Sequence, residues 1–241
     1  MGTSVSVALA TFHGGEFLKE QMDSILAQLS EQDEVVVAYQ PSRDDTLAIL
    51  EDYAARDPRV RILHNPQTGV TSNFNLALSH CRGEYIFLSD QDDVWLPQKR
   101  QAVLDCFAQT GADMVIHNAV HTDQALHPQK ETFFQIYPIG PGKLRNILLP
   151  RMSGCCMAMT RQMKDKLLPI PEIRGYDQWL AVGAEFLGEI AYLDQVLLLH
   201  RLHGENVTPS SRRSLPTILS CRTKLIVALA KRLRREKRKK G

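Results

Sequence analysis

Four short apolar runs alternate with helical patterns along the first half of the chain, and this rhythm limits the fold more than any single motif. VSVALA (Val5–Ala10), EVVVAY (Glu34–Tyr39), VRILHN (Val60–Asn65) and EYIFLS (Glu84–Ser89) read as strands. They are short, buried in pattern and rich in β-branched residues. A helix from about Gly15 to Gln28 carries Phe17, Leu18, Met22, Ile25 and Leu26 on one face. A second, capped by Asp44 or Asp45, carries Leu47, Ile49, Leu50 and Tyr53, and a third spans Ser72 to Cys81. Gln98 to Thr110 reads as a helix and DMVIHNAV as a further strand. Such repetition predicts an α/β fold with a mostly parallel sheet flanked by helices. Ligands bind such sheets at the carboxyl ends of the strands, near a switch in strand order.

After about Val120 the rhythm loosens. HPQKETFFQIYPIGPGK is rich in Pro and Gly and reads as an irregular surface excursion. SGCCMAMT resumes as a strand, GYDQWLAVGAEF opens a helix, and EIAYLDQVLLLHRLHG supplies a strand or hairpin. A chain of 241 residues with 44% apolar and 23% charged residues suits one substantial core. No run approaches the roughly 18 apolar residues of a membrane span, and the start lacks a secretion-signal pattern. MGTSVS fits a myristoylation pattern on paper but reads as an ordinary start. Cys81, Cys106, Cys155, Cys156 and Cys221 form an odd set without CxxC spacing, which predicts reduced thiols in a cytoplasmic protein. His117 and His121 lie four apart, but HNAVH lacks the glutamate of a zinc-protease helix.

The chemistry concentrates in YIFLSDQDDVW, where an apolar run breaks into Asp90, Asp92 and Asp93. Carboxylates this close repel one another. Either solvent compensates, with Asp93 capping a following helix, or a hard divalent cation does so. Mg²⁺ or Mn²⁺ takes oxygen ligands, commonly one or two carboxylates together with substrate phosphates.

With this cluster stand ATFHGGEFLKEQMDSILAQ, GVTSNFNLAL, GEYIFLSDQDDVWLPQK, SGCCMAM, YDQWLA and HRLHGENV. Together and in this order they resemble glycosyltransferase family 2, the inverting enzymes of GT-A (Rossmann-like) fold. In particular, they resemble the bacterial rhamnosyltransferase-like members of polysaccharide assembly. The resemblance covers roughly Val5 to Val207 and implies a GT-A domain over 1–210. Within it, residues 1–122 form a nucleotide-binding half and 123–210 an acceptor half.

The resemblance implies that Asp92 is the leading metal ligand for Mn²⁺ or Mg²⁺, with Asp90 toward ribose or metal. His203 matches the late histidine that reaches the metal or diphosphate, and Arg201 is a plausible diphosphate contact. Thr11, Phe12 and His13 would line the nucleotide pocket, although family members usually show Tyr-Asn after the threonine. Asn73, in GVTSNFNLAL, is placed with the donor-binding residues. Where the family commonly reads Asp-Asp-Gly-Ser, this chain has Tyr39 and Gln40: the tyrosine could stack on the base, and the glutamine offers donor and acceptor. Asp177 matches the general base that takes the acceptor proton during inversion; it could also cap the helix beginning DQWLAV. The implied reaction moves a sugar from a nucleotide-sugar donor to a saccharide or lipid-linked acceptor in bacterial cell-surface polysaccharide synthesis. Two alternatives stand beside it. A nucleotidyltransferase would normally show a glycine-rich basic loop near the N-terminus, absent before Lys19. A non-catalytic nucleotide- or sugar-binding module is suggested by Tyr39 and Gln40.

The remaining feature is the tail, residues 211–241. From Lys231 to Gly241 eight basic residues and one acid give +7 within a chain of net +2, so the preceding 230 residues carry −5. Leu215, Ile218, Leu219, Leu225, Ile226, Leu229 and Leu233 recur near helical spacing among Arg222, Lys224, Lys231, Arg232, Arg234 and Arg235. This predicts a basic amphipathic C-terminal helix that lies on an anionic membrane surface or packs on the domain. The first option places the enzyme peripherally on the inner face of the cell membrane. Nucleic-acid binding finds no supporting motif.

Overall fold

The computed structural model describes residues 3–204 and 214–240. The first half follows the sequence rhythm: β1 (Val5–Thr11), α1 (Leu18–Leu26), β2 (Glu34–Tyr39), α2 (Thr46–Arg56), β3 (Val60–His64), α3 (Val70–His80) and β4 (Tyr85–Ser89). A two-residue strand, β5 (Val94–Trp95), precedes α4 (Lys99–Thr110) and β6 (Met114–Thr122). The excursion after β6 contains order of its own: β7 (Pro128–Thr132), α5 (Phe133–Ile136) and α6 (Lys143–Leu148). A 3₁₀ turn at Gly154–Cys156 leads into β8 (Met157–Thr160), followed by α7 (Arg161–Leu167), α8 (Tyr176–Leu187), β9 (Ile190–Arg201) and α9 (Leu215–Lys240).

The strands form one sheet in the order β3-β2-β1-β4-β8-β6-β9-β5, with β7 paired to β6. β3, β2, β1 and β4 are mutually parallel. Beyond β4 the sheet is mixed: β8 runs antiparallel to both β4 and β6, β9 is parallel to β6, and β5 is antiparallel to β9. The expectation of a mostly parallel sheet therefore holds for the first half alone. The strand–helix alternation that enforces parallel pairing stops there.

Period-2 alternation distributes the strands between two helical layers. Val5, Val7 and Leu9 of β1 join Val35 and Val37 against Leu18, Met22 and Ile25 of α1 and Leu50 of α2. Ala8 and Ala10, with Val36 and Ala38, face Phe74 and Leu78 of α3, Trp179 and Leu180 of α8, and Leu225 and Leu229 of α9. Burying a leucine contributes about 1.5–3 kcal/mol, so Leu225 and Leu229, at 2% and 4% exposure, hold α9 on the domain. Arg232 is buried beside them. It donates to the carbonyls of Lys166, Leu168 and Pro169 and lies 5.2 Å from the Trp179 ring centroid. The tail helix thus packs by one face, and Arg232 belongs to that face rather than to the basic surface expected of it.

Strand order reverses at β1, which pairs with β2 on one side and β4 on the other. The chains leaving β1 and β4 consequently diverge, and the crevice between them is the binding position for such sheets.

Candidate active site

The acidic loop leaves β4 directly into this crevice. Gln91 fixes it to the loop after β1 as another strand would: Phe12 N–H donates to Gln91 Oε1 (2.7 Å), and Gln91 Nε2 donates to Phe12 O (2.8 Å). The approach is close: a Cβ on Gly14 would stand 2.4 Å from Gln91 Oε1, so a larger residue there would push the Gln91 side chain away from Phe12. From below, Gln21 of α1 donates to Ser89 Oγ (2.5 Å) and Asp90 O (2.8 Å), and Trp95 N–H donates to Ser24 Oγ (3.0 Å). Neither glutamine was expected in the site. Gln21 did carry a signal, as a polar residue among the apolar positions Leu18, Met22 and Ile25 of one helix face.

Asp90 is half-buried in the crevice, and Tyr176 Oη stands 3.5 Å from its Oδ1. Burial, then repulsion from Asp93, Asp92 and Asp177, pushes its carboxyl well above the usual range. The four carboxylates therefore share one electrostatic site. Tyr176 is held by stacking on Phe74, with ring centroids 4.2 Å apart. A Cβ on Gly154 would lie 2.1 Å from Tyr176 Oη, which explains the glycine of SGCCMAM. Asp177 lies half-buried in the first turn of α8, where it accepts from Gln178 N–H at 2.8 Å. The helix N-cap is Gly175, so capping is not its role.

Asp92 and His203, 111 residues apart, meet at 2.8 Å (Oδ2 to Nε2), and the imidazole packs on Phe17. Asp90 and Asp92 bring to this loop the carboxylate oxygens that Mn²⁺ and Mg²⁺ favour, and His203 adds an imidazole beside Asp92. Asp93 faces the opposite way. It is 1% exposed, accepts from Arg201 N–H at 3.3 Å and leaves Oδ2 without a partner. It caps no helix, because β5 follows it. Burial and the neighbouring Asp92 raise its pKa to about 7. Asp93, Cys155 and His200 have donor atoms within 4.8 Å of one another. Lys99, fully buried and donating to Cys155 O at 2.9 Å, already brings positive charge to this rear side.

The sequence pattern described as Glycosyl transferase family 2 matches residues 6–168, more than half of the chain. The chain belongs to glycosyltransferase family 2. An uncharacterised glycosyltransferase of a Nostoc species is 25% identical over 215 residues, covering 84% of this chain and 66% of the relative. A putative teichuronic acid biosynthesis glycosyltransferase of Bacillus subtilis is 24% identical over 217 residues, covering 85% and 81%. The chain spans under two thirds of the length of the Nostoc protein and 61% of a Mycobacterium tuberculosis relative. Its fold resembles that of Staphylococcus aureus TarS in complex with UDP-GlcNAc (TM-score 0.71, 16% identity, 96% of this chain and 66% of that one). It also resembles a Pyrobaculum calidifontis mannosyltransferase in complex with GDP-Man and Mn²⁺ (TM-score 0.66, 18% identity, 95% and 71%).

Within this family 2 chain, several side chains depart from their expected positions. Arg201 is 3% exposed and committed elsewhere: it pairs with Glu20, donates to the carbonyls of Asp92 (3.0 Å) and Gln124, and covers the Phe17 ring. It positions the acidic loop and is not placed as a diphosphate contact. Tyr39 is 4% exposed in the core, with its hydroxyl accepting from Ser42 N–H at 2.9 Å, which removes it from base stacking. Asn73, 2% exposed, links Asn65 (2.7 Å) to Thr11 O (3.4 Å) and supports the loop from beneath. Thr11 is likewise buried, with Oγ1 on Ala38 O at 3.2 Å. Phe12 does open to the crevice at 44% exposure, and its ring lies against His13 (4.1 Å between centroids). His13 adopts φ 51°, held by Ser42 Oγ on its N–H at 2.9 Å. Gln40 commits Oε1 to Gly69 N–H at 2.8 Å.

Proposed function

We propose that this protein is an inverting, metal-dependent glycosyltransferase of hexosyl or rhamnosyl type. It would move a sugar from a nucleotide-sugar donor to a saccharide or lipid-linked acceptor in bacterial cell-surface polysaccharide synthesis, on the cytoplasmic side of the membrane. The observation that carries this reading is the gathering of Asp90, Asp92, His203 and Asp177 at the strand-order switch beside β1 and β4. Asp92, His203 and Asp90 would hold the divalent ion, which when bound offsets the charge developing on the leaving diphosphate.

The chain's own residues supply the rest. Asp177 takes the proton of the acceptor hydroxyl as it attacks the anomeric carbon opposite the diphosphate. Phe12, rather than Tyr39, offers the ring face for the nucleobase. Gln40 is 6% exposed and its carbonyl is held by Gly69. Any contact with the base would be through its amide N–H groups, which could donate to a base carbonyl but could not accept as a family aspartate does. Gln91 and Arg201 keep the two loops in register.

The test is turnover of a panel of nucleotide sugars with Mn²⁺ or Mg²⁺. Asp92→Ala should lose metal-stimulated activity. Asp177→Ala should lose about 10²–10⁴-fold in kcat while still binding donor. Full activity in Asp177→Ala would remove the base assignment. Donor binding without turnover by the native chain across acceptors would favour the binding-module alternative.

A further inference from the structure

The outer face of α9 and the adjoining end of α6 form one surface on which exposed leucines border a basic stripe. Nine large apolar side chains are exposed among the described residues, and six belong here. They are Leu144, Leu148 and Leu149 on and just after α6, and Leu219, Ile226 and Val227 on α9. Arg222 joins the two helices by donating from Nε to Leu148 O at 3.2 Å. Leu219 and Ile226 stand three residues before it and four after it, on the same side of α9. Farther along, Lys231, Arg234, Arg235 and Arg238 recur at i, i+3, i+4 and i+7, all exposed.

The packed side of α9 is already occupied by Leu225, Leu229 and Arg232, so this outer surface is a second, separate face. It also reaches the site. Arg222 Nη1 donates to Gln178 Oε1 at 2.9 Å, one residue from Asp177.

We propose that this composite α6–α9 face docks on an anionic lipid bilayer, with the leucines entering the acyl boundary and the basic stripe meeting headgroups. No aromatic side chain stands on either helix for base stacking, and apolar residues flanking a cationic stripe match a bilayer interface better than an acidic protein. Docking here would present the start of α8 to an acceptor held in the membrane. The inference deepens the peripheral location proposed above, and its test needs no turnover.

The full chain would be sedimented with vesicles of phosphatidylcholine alone or mixed equally with phosphatidylglycerol. Binding is expected only to the anionic vesicles, weakening as salt rises. Lys231→Glu with Arg234→Glu and Arg238→Glu should weaken it about 100-fold or more. Leu148→Glu with Leu149→Glu, and Leu219→Glu with Ile226→Glu, should each weaken it at least tenfold at unchanged Tm. Asp177→Ala should bind as the native chain does, which separates failed docking from failed catalysis. Native binding by the α6 variant would overturn the composite face. Equal binding to neutral vesicles, or preference for an RNA or DNA oligonucleotide over vesicles, would overturn the proposal itself.

Discussion

The acidic loop has a front and a rear, and the same residue type does different work on each. At the front, Asp90 and Asp92 open to the crevice, where Asp92 meets His203 and Asp90 lies near Asp177. At the rear, Asp93 is sealed among Arg201, Lys99 and Cys155. Three carboxylates in four positions are equivalent as a pattern. What separates them is the partners that β9, the residues just after it and the 3₁₀ turn bring from far along the chain. Charge density after a strand therefore locates a site, and packing decides which charges face it.

The sharpest way to break this comparison is Arg201→Ala. If the guanidinium belongs to the rear, its loss strands the Asp92 and Gln124 carbonyls. That should cost about 2–4 kcal/mol in chemical denaturation. Donor affinity per folded molecule should fall only modestly, as the acidic loop loses one of its anchors at the Asp92 carbonyl. A large rise in donor KM at unchanged stability would instead return Arg201 to the diphosphate.

Arg201 also marks how far the chain was legible. β1 to β4 and their helices follow from local periodicity because each carries its own apolar face, and the crevice follows from the strand–helix order. The resemblance pointed to Asp92, His203 and Asp177, and the fold brings Asp92 against His203 and Asp177 near Asp90. Arg201, Tyr39 and Asn73 were not, because a polar side chain at a strand end or helix start can point to the cleft or beneath it. That direction is set by contacts such as Ser42 N–H on the Tyr39 hydroxyl, which leave no local mark. The mixed half of the sheet was illegible for a related reason: β8 is placed between β4 and β6 by long-range pairing alone.

α9 repeats the inner-versus-outer contrast. Leu229→Ala, on the packed side, should cost about 2–4 kcal/mol, whereas Ile226→Ala, on the outer side, should stay within about 0.5 kcal/mol. Similar costs at both positions would dissolve the distinction between the two faces. Gly154→Ala probes the front from behind, since the added methyl must displace Tyr176. A loss of about 1–3 kcal/mol is expected, together with weaker donor binding as the tyrosine leaves Asp90.

The smallest effect concerns Asp33, a buried carboxylate far simpler than those of the loop. Burial alone would raise its pKa. Hydrogen bonds from Arg100, Ser30 and Val5 outweigh burial and hold the carboxyl below the usual value. Its contribution to stability is thus complete above the unfolded pKa near 3.8 and disappears as pH falls through the lower folded value. Asp33→Asn should flatten the acid limb of a stability–pH curve relative to the native chain. An unchanged limb would mean that the Arg100 pair contributes nothing there.

The middle letter of the acidic motif, often treated as a spacer, acquires a meaning of its own from the Gln91 amide. It forms a ladder rung made from a side chain, giving one proton to the Phe12 carbonyl and taking one from the Phe12 amide. Few residues can do both from that distance. A leucine or lysine there would leave every acid intact and still unhinge one wall of the cleft from the other, so the variant would keep its charges but lose the alignment that makes them useful.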